Sequence, residues 1–203
     1  MKEEKENIFS TFDDILQRKD KENLLNQKSK VIWMTGLSGS GKTTIAKEVE
    51  KYLHSKGILN QLLDGDNIRL GISNNLSFSF LDRKENIRRI AEVSKLFMNC
   101  GIVTLNCFIS PTIEIRKIAK NIIGEENFIE VYIKASIETC EKRDIKGLYK
   151  KARQGKITDF TGISSPFEAP KNPELTINTS KLSIEESVQK VIDYILPRIK
   201  KNK

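Results

Sequence analysis

Residues 31–44 read VIWMTGLSGSGKTT: an apolar run from Val31 to Thr35, a glycine-rich turn, and the opening of a helix-like segment at Lys42, Thr43 and Thr44. Gly36, Leu37, Ser38, Gly39, Ser40, Gly41, Lys42 and Thr43 fit the pattern G-x-x-x-x-G-K-[ST]. In that pattern the glycines let the backbone curl until several N–H groups converge on one anion. The lysine reaches the outer phosphates, the hydroxyl is placed for Mg²⁺, and the helix N-terminus adds a favourable dipole. At average composition the four fixed positions coincide by chance in roughly one chain in a hundred of this length. The strand before the turn and the helix after it supply the context the pattern needs. The chain is expected to hold a nucleoside triphosphate through these residues and Thr44, with Mg²⁺ on Thr43.

Working outward, apolar runs alternate with amphipathic stretches, the signature of an α/β chain. Strands are expected near 31–35, 60–64, 102–108, 128–133 and 174–178. Helices are expected near 42–56, 83–100, 112–122, 136–142 and 183–199, with Gly57, Gly101 and Gly124 standing where helices stop. The fold class is therefore a doubly wound, mainly parallel five-stranded sheet flanked by helices, the P-loop NTPase arrangement, with ligands beyond the carboxyl ends of the strands. Residues 1–30, charged and partly helical in pattern, read either as an arm on the core or a partner, or as a mobile leader; residues 31–203 form the domain.

Bulk composition narrows the chemistry. The 203 residues carry a formal net charge of +8, but no nucleic-acid-binding signature accompanies it, and the lysines are spread along the chain. Neither a nucleic-acid nor a membrane partner is expected: no apolar run is long enough to cross a bilayer. The start, MKEEKENIFS, lacks an apolar signal region, so a cytoplasmic location is expected. His54 is the single histidine, which excludes histidine triads and histidine-rich zinc sites. Cys100, Cys107 and Cys140 lack CxxC spacing and fall in apolar stretches, so buried free thiols are expected.

Beyond the second strand comes LLDGDNIRLGIS, with Asp64, Asp66 and Arg69. A carboxylate there can orient a metal or accept a proton from an attacking hydroxyl, and Asp66 is the candidate for both; turn chemistry alone also brings Asp and Gly together. The next stretch, NNLSFSFLDRKENIRR, spaces Arg83, Asn86 and Arg89 along one helix face. That spacing suits an oxyanion clamp and equally a solvated charged helix. From Arg143 to Phe167 the chain is long, polar and rich in lysine, with Tyr149, Phe160 and Phe167 interspersed. It reads as a lid over about 144–166, a disordered loop being the alternative.

GLSGSGKT, DGDNIR, NLSFSFLDRKENIRR, FISP, KGLYKKAR and FTGISSPFEAPKNPEL, in this order, resemble the adenylylsulfate kinase (APS kinase) family over nearly the whole chain. The resemblance implies γ-phosphoryl transfer from MgATP to the 3′-hydroxyl of adenosine 5′-phosphosulfate (APS), giving 3′-phosphoadenosine 5′-phosphosulfate (PAPS) and ADP, and a homodimer. It implies that Asp66 lies beside the metal and the attacking hydroxyl, and that Arg69, Arg83 and Asn86 hold phosphosulfate and ribose. Phe78 and Phe160 would sandwich the acceptor adenine, Arg143 would lie on the ATP adenine, and Lys146, with Gly147 and Leu148 beside it, would reach the transferring phosphates from the lid. Ile109, Ser110 and Pro111 match a substrate-contacting loop. The family's serine at Ser110 has been regarded as a phosphoserine intermediate, but an acceptor held in line can attack directly, so Ser110 is expected to position substrate. Lys42, Asp66, Ser110 and Lys146 form the expected catalytic set. The chain departs from the pattern at Ser77, where glycine is usual, at Ile145 (proline), Ser164 (aspartate), Phe167 (tyrosine) and in TIEIR after Pro111. Ser77 puts the loop of Phe78 in question if a positive φ is needed there. Two rivals differ in kind: a P-loop kinase for another small acceptor, which would have no use for paired aromatics, and a non-catalytic ATP-binding protein, which would be expected to lack Lys42, Asp66 or the arginines.

Overall fold

β1 (Val31–Thr35) is buried along its whole length. In a five-residue strand that is possible only inside a sheet covered on both faces. A computed structural model describes residues 9 and 11–201 and supplies that sheet. β1 pairs with β3 (Val103–Cys107) on one side and with β4 (Phe128–Lys134) on the other. β2 (Asn60–Asp64) and β5 (Leu175–Asn178) are the edges, giving five strands in the order β2-β3-β1-β4-β5 with every pairing parallel.

The pleat divides the core. Ile32 and Met34 point into one apolar cluster, with Ile45 and Val49 of α2 (Lys42–Ser55) and Val191 and Ile195 of α8 (Ile184–Ile199). Val31 and Trp33 point into the other, with Ile87 and Ile90 of α4 (Phe80–Asn99) and Ile115 and Ala119 of α5 (Ile113–Ile123). Alternation along β1 thus feeds two separate layers, as a doubly wound sheet requires. The caps are local: Ser79, Thr112 and Ser183 each accept an amide hydrogen of the first turn of α4, α5 and α8.

All five expected strands and five expected helices are present, and α4 begins three residues early because Ser79 caps it. Two short helices were not anticipated, α3 (Gly65–Leu70) and α7 (Leu148–Arg153), the latter between α6 (Ile137–Arg143) and β5, while α1 (Arg18–Leu24) falls in the N-terminal stretch read as partly helical. Helices of six or seven residues show too little of the 3.6 period to stand out from loop. The described part of the N-terminal segment packs on the domain: Arg18 reaches Asn127 Oδ1 at 2.8 Å and Ser29 O at 2.5 Å, and Gln27 bonds to the carbonyls of Leu59 and Gly101. The earlier part of that segment, residues 1–8 and 10, lies outside the described residues. One thiol departs from expectation: Cys107 and Cys140 are buried, but Cys100 is exposed, because it caps the C-terminal end of α4. Among the described residues no helix is long and apolar enough to cross a membrane.

Candidate active site

The turn from β1 to α2 needs glycine for a steric reason. Gly36 has φ 151°, and a Cβ there would stand 2.4 Å from the carbonyl oxygen of Ile133. Gly41, at φ 101°, caps α2 in the left-handed region. The loop is closed by Lys42, whose ammonium donates to the carbonyls of Gly36 at 3.0 Å and Leu37 at 2.7 Å. Burial pushes the Lys42 pKa down to about 8. Leu37 faces a third apolar cluster, and Ser40 is fully buried, so these two shape the loop while its backbone faces the cleft.

The Thr43 hydroxyl donates to Asp64 Oδ2 at 2.8 Å. Asp64 Oδ1 in turn accepts the amide of Asp66 at 3.0 Å, which caps α3. Asp64, at the strand end, is thus the carboxylate bonded to Thr43, while Asp66, expected beside the metal and the attacking hydroxyl, stands two residues further on. Asp66 pairs instead with Lys146, a contact that raises the lysine's pKa. Two hard oxygen donors beside an anion-binding loop fit Mg²⁺, which ordinarily takes one or two protein oxygens and completes its shell with phosphates and water. No larger cluster of His, Cys, Asp and Glu suited to a metal is found among the described residues.

A cleft of about 670 Å³ runs from Gly41, Lys42, Thr43 and Thr44 past Asp64 and Asp66 to Arg69, Phe78, Arg83 and Asn86. Ile109, Arg143, Lys146 and Leu148 also line it. At its far end the Arg69 guanidinium lies 4.3 Å from the centroid of Phe78, and that of Arg83 lies 5.5 Å away. Burial, then the like charge of Arg69, pulls the Arg83 pKa down. Two partly desolvated guanidinium groups side by side gain from any anion that joins them. Arg83 Nε donates to Phe78 O and Nη2 to Asp159 O, both at 2.8 Å. Asn86 is 5% exposed, and its Oδ1 has no hydrogen-bond partner. A buried orphan acceptor facing a cleft is what a ligand hydroxyl would satisfy. Ser77 is compatible with this loop: its φ is not positive, and its hydroxyl and amide both bond to Asp82.

Three expectations change. The Ser110 hydroxyl is fully buried, accepting from Trp33 Nε1 at 3.1 Å and donating to Thr35 Oγ1 at 2.9 Å. It faces the core, so neither phosphorylation nor direct substrate contact by that side chain fits the structure. Phe160 lies in the third cluster, edge-on to Tyr149 at 4.9 Å, and is not among the residues that line the cleft. Arg89 does not join the clamp; it binds Glu85 and the 72–75 turn. Gly147, at φ 64°, caps α7.

Other residues emerge only in three dimensions. Tyr149 OH donates to Ser38 O at 2.9 Å, tying the 144–166 segment to the phosphate loop. Thr179, just past β5, donates its hydroxyl to Ser40 O at 2.8 Å and its carbonyl accepts Arg143 Nη2 at 2.6 Å. Leu182, Ile184 and Ser187 line the same end of the cleft. No motif marks them, since they are brought to the loop by β5 pairing beside β4.

A family model described as adenylylsulphate kinase matches residues 28–178. The adenylyl-sulfate kinase of Bacteroides thetaiotaomicron is 59% identical over 199 residues, covering 98% of this chain and 99% of that one. That of Clostridium acetobutylicum is 52% identical over 180 residues, 89% of this chain and 90% of that one. Among solved structures, the Mycobacterium tuberculosis APS kinase in complex with AMPPNP and APS superposes with a TM-score of 0.81 at 46% identity, covering 83% of this chain and 98% of that one. A gluconokinase from Sinorhizobium meliloti, at 14% identity and TM-score 0.54, shares the fold alone.

Proposed function

From the premise that the chain belongs to the adenylylsulfate kinase family, we propose how its residues divide the family's reaction, transfer of the γ-phosphoryl group of MgATP to the 3′-hydroxyl of APS, giving PAPS and ADP. The acceptor's 3′-oxygen attacks the γ-phosphorus, the bond to the β–γ bridging oxygen breaks, and ADP leaves with that electron pair. The hydroxyl proton passes to the Asp66 carboxylate. Such a transfer asks mainly for alignment and charge neutralisation.

The loop amides and Lys42 hold the donor's phosphates, while Arg143, Leu182 and Ile184 border its base. Thr43 and Asp64 would hold Mg²⁺, which would supply charge neutralisation for the donor's phosphates. Arg69 and Arg83 bind the acceptor's phosphosulfate, Phe78 stacks on its adenine, and Asn86 Oδ1 takes a ribose hydroxyl. Lys146, paired with Asp66, serves the transferring group. We propose further that 144–166 is a lid hinged near Asp144 and Glu168, that residues before 31 form an arm, and that the protein is a cytoplasmic homodimer.

One observation carries this reading. A single cleft joins a triphosphate loop to a second anion site built beside an exposed aromatic face, Phe78 being 57% exposed. A sugar-acid kinase has no base to stack. The test is ADP release with MgATP and APS, repeated with gluconate, shikimate and nucleoside monophosphates. Release dependent on APS and absent with the others is expected; no APS-dependent release above the no-acceptor control would sink the reading.

A further inference from the structure

The turn between β3 and α5 is stapled to the chain just past residue 166 by contacts that phosphoryl transfer itself does not use. At the centre is Arg116 of α5, 4% exposed. Its Nε lies 2.9 Å from Glu130 Oε1 on β4. Its Nη1 donates to Ser110 O at 2.7 Å and its Nη2 to Glu168 O at 2.8 Å. The two segments also bind each other: Glu168 N–H donates to Pro111 O at 2.8 Å, and Ile113 N–H donates to Glu168 Oε2 at 2.7 Å. Phe167 stacks on Tyr132 at 6.1 Å and lies 6.0 Å from the guanidinium.

A buried guanidinium–carboxylate pair is a weak source of stability, because desolvating both charges offsets most of their attraction. What Arg116 does supply is geometry. Its planar fork points in three fixed directions, which a lysine ammonium on a flexible stem cannot reproduce. Each carbonyl it holds belongs to a segment that reaches the cleft. Ser110 follows Ile109, which lines it. Glu168 ends the segment that carries Lys146 and, through Asp159 O, rests on Arg83.

We propose that Arg116 is a positioning residue for the acceptor: by holding Ser110 O and Glu168 O on one guanidinium it sets where Ile109 and the far end of the 144–166 segment stand. It touches neither nucleotide. The donor's half is built mainly on the other face of the sheet, by α2 and α8, and meets the Arg116 staple through Thr35, which bonds to Ser110 O at 3.3 Å. Small displacements of positioning groups are enough to cost orders of magnitude in turnover. This inference rests on the reading of the cleft as the APS site.

The test compares Arg116→Lys with Glu168→Ala, the latter a change at an exposed residue that leaves the core intact. KM for APS, KM for ATP and kcat are measured on the full chain, with circular dichroism to check folding. Arg116→Lys is expected to raise the APS KM about tenfold and Glu168→Ala about threefold, with the ATP KM within about twofold in both. Parallel rises for the two nucleotides, or an APS KM unchanged in the folded variants, would overturn the proposal. If Arg116→Lys does not fold, Glu130→Gln, which removes the charge that orients the guanidinium, decides by the same split. Loss of APS-dependent ADP release in the unmodified protein would count against the functional reading itself.

Discussion

The hydroxyl of Thr43 donates to Asp64 at 2.8 Å, while Asp66, two residues further along, is engaged by Lys146. Two carboxylates in one short motif thus take different partners, because Asp64 ends a strand and Asp66 opens a helix capped by it. Separate partners support the separate tasks proposed for them, Asp64 toward the metal and Asp66 toward the acceptor's proton.

Asp64→Asn is therefore expected to raise the Mg²⁺ concentration for half-maximal activity about tenfold or more. Asp66→Asn should lower kcat by roughly 10²-fold to 10⁴-fold, the range for general acid–base groups, with the Mg²⁺ requirement unchanged. Steady-state rates over a Mg²⁺ titration separate the two; an equal shift in metal requirement for both variants would refute the division.

Lys42 gives a pH prediction. Its folded pKa of about 8 lies below the ordinary 10.5 because burial disfavours the ammonium. The unfolded chain then binds more protons between those values, so this group's contribution to stability rises as pH climbs from about 8 to 10.5, by on the order of 3 kcal/mol. Below pH 8 the burial cost is present in full. Binding runs the other way, since neutral Lys42 attracts phosphates less: the Kd for an ATP analogue should rise above about pH 8. Calorimetric titrations from pH 7 to 9.5 check this, and a flat Kd would count against it.

Ser110→Ala is expected to cost about 1–3 kcal/mol in stability, because it strands the buried Trp33 indole N–H. Its kcat should stay within roughly tenfold of the parent, since the hydroxyl faces the core. Denaturant unfolding and initial rates measure both. A larger loss of kcat, or a phosphorylated protein in intact-mass spectra after incubation with MgATP, would restore Ser110 to the chemistry.

Arg83→Ala should weaken APS use by about 10²-fold, as expected for loss of a charge-assisted contact, and ATP binding by less than about threefold. The structure adds a second effect: the variant frees Asp159 O, so the 144–166 segment should become more open to limited proteolysis. Matched losses for the two nucleotides would show that the clamp is misassigned.

Much of this was legible in advance because it is local. The strand before Gly36, the glycine turn and the capped helices each follow from a few neighbouring residues, and the alternation of apolar runs suffices for a parallel sheet. Legibility failed where a residue's role depends on which way it faces. Ser110 and Phe160 sit in the motifs where substrate contacts were expected, yet one hydroxyl turns to Trp33 and one ring to Tyr149. Asp64 was visible as a carboxylate, but only the end of β2 beside α2 puts it on Thr43.

The sequence by itself determined the donor loop, the sheet and the family, since spacing along the chain carries that information. Only the tertiary structure decided which carboxylate bonds to Thr43, which serine is walled into the core, and how Arg116 joins α5 to the chain just past residue 166. Those are contacts between residues from 14 to 52 positions apart or more, such as Arg116–Glu130 and Arg116–Glu168, and chain order does not encode their distance or direction. Packing of strand ends against helix starts does.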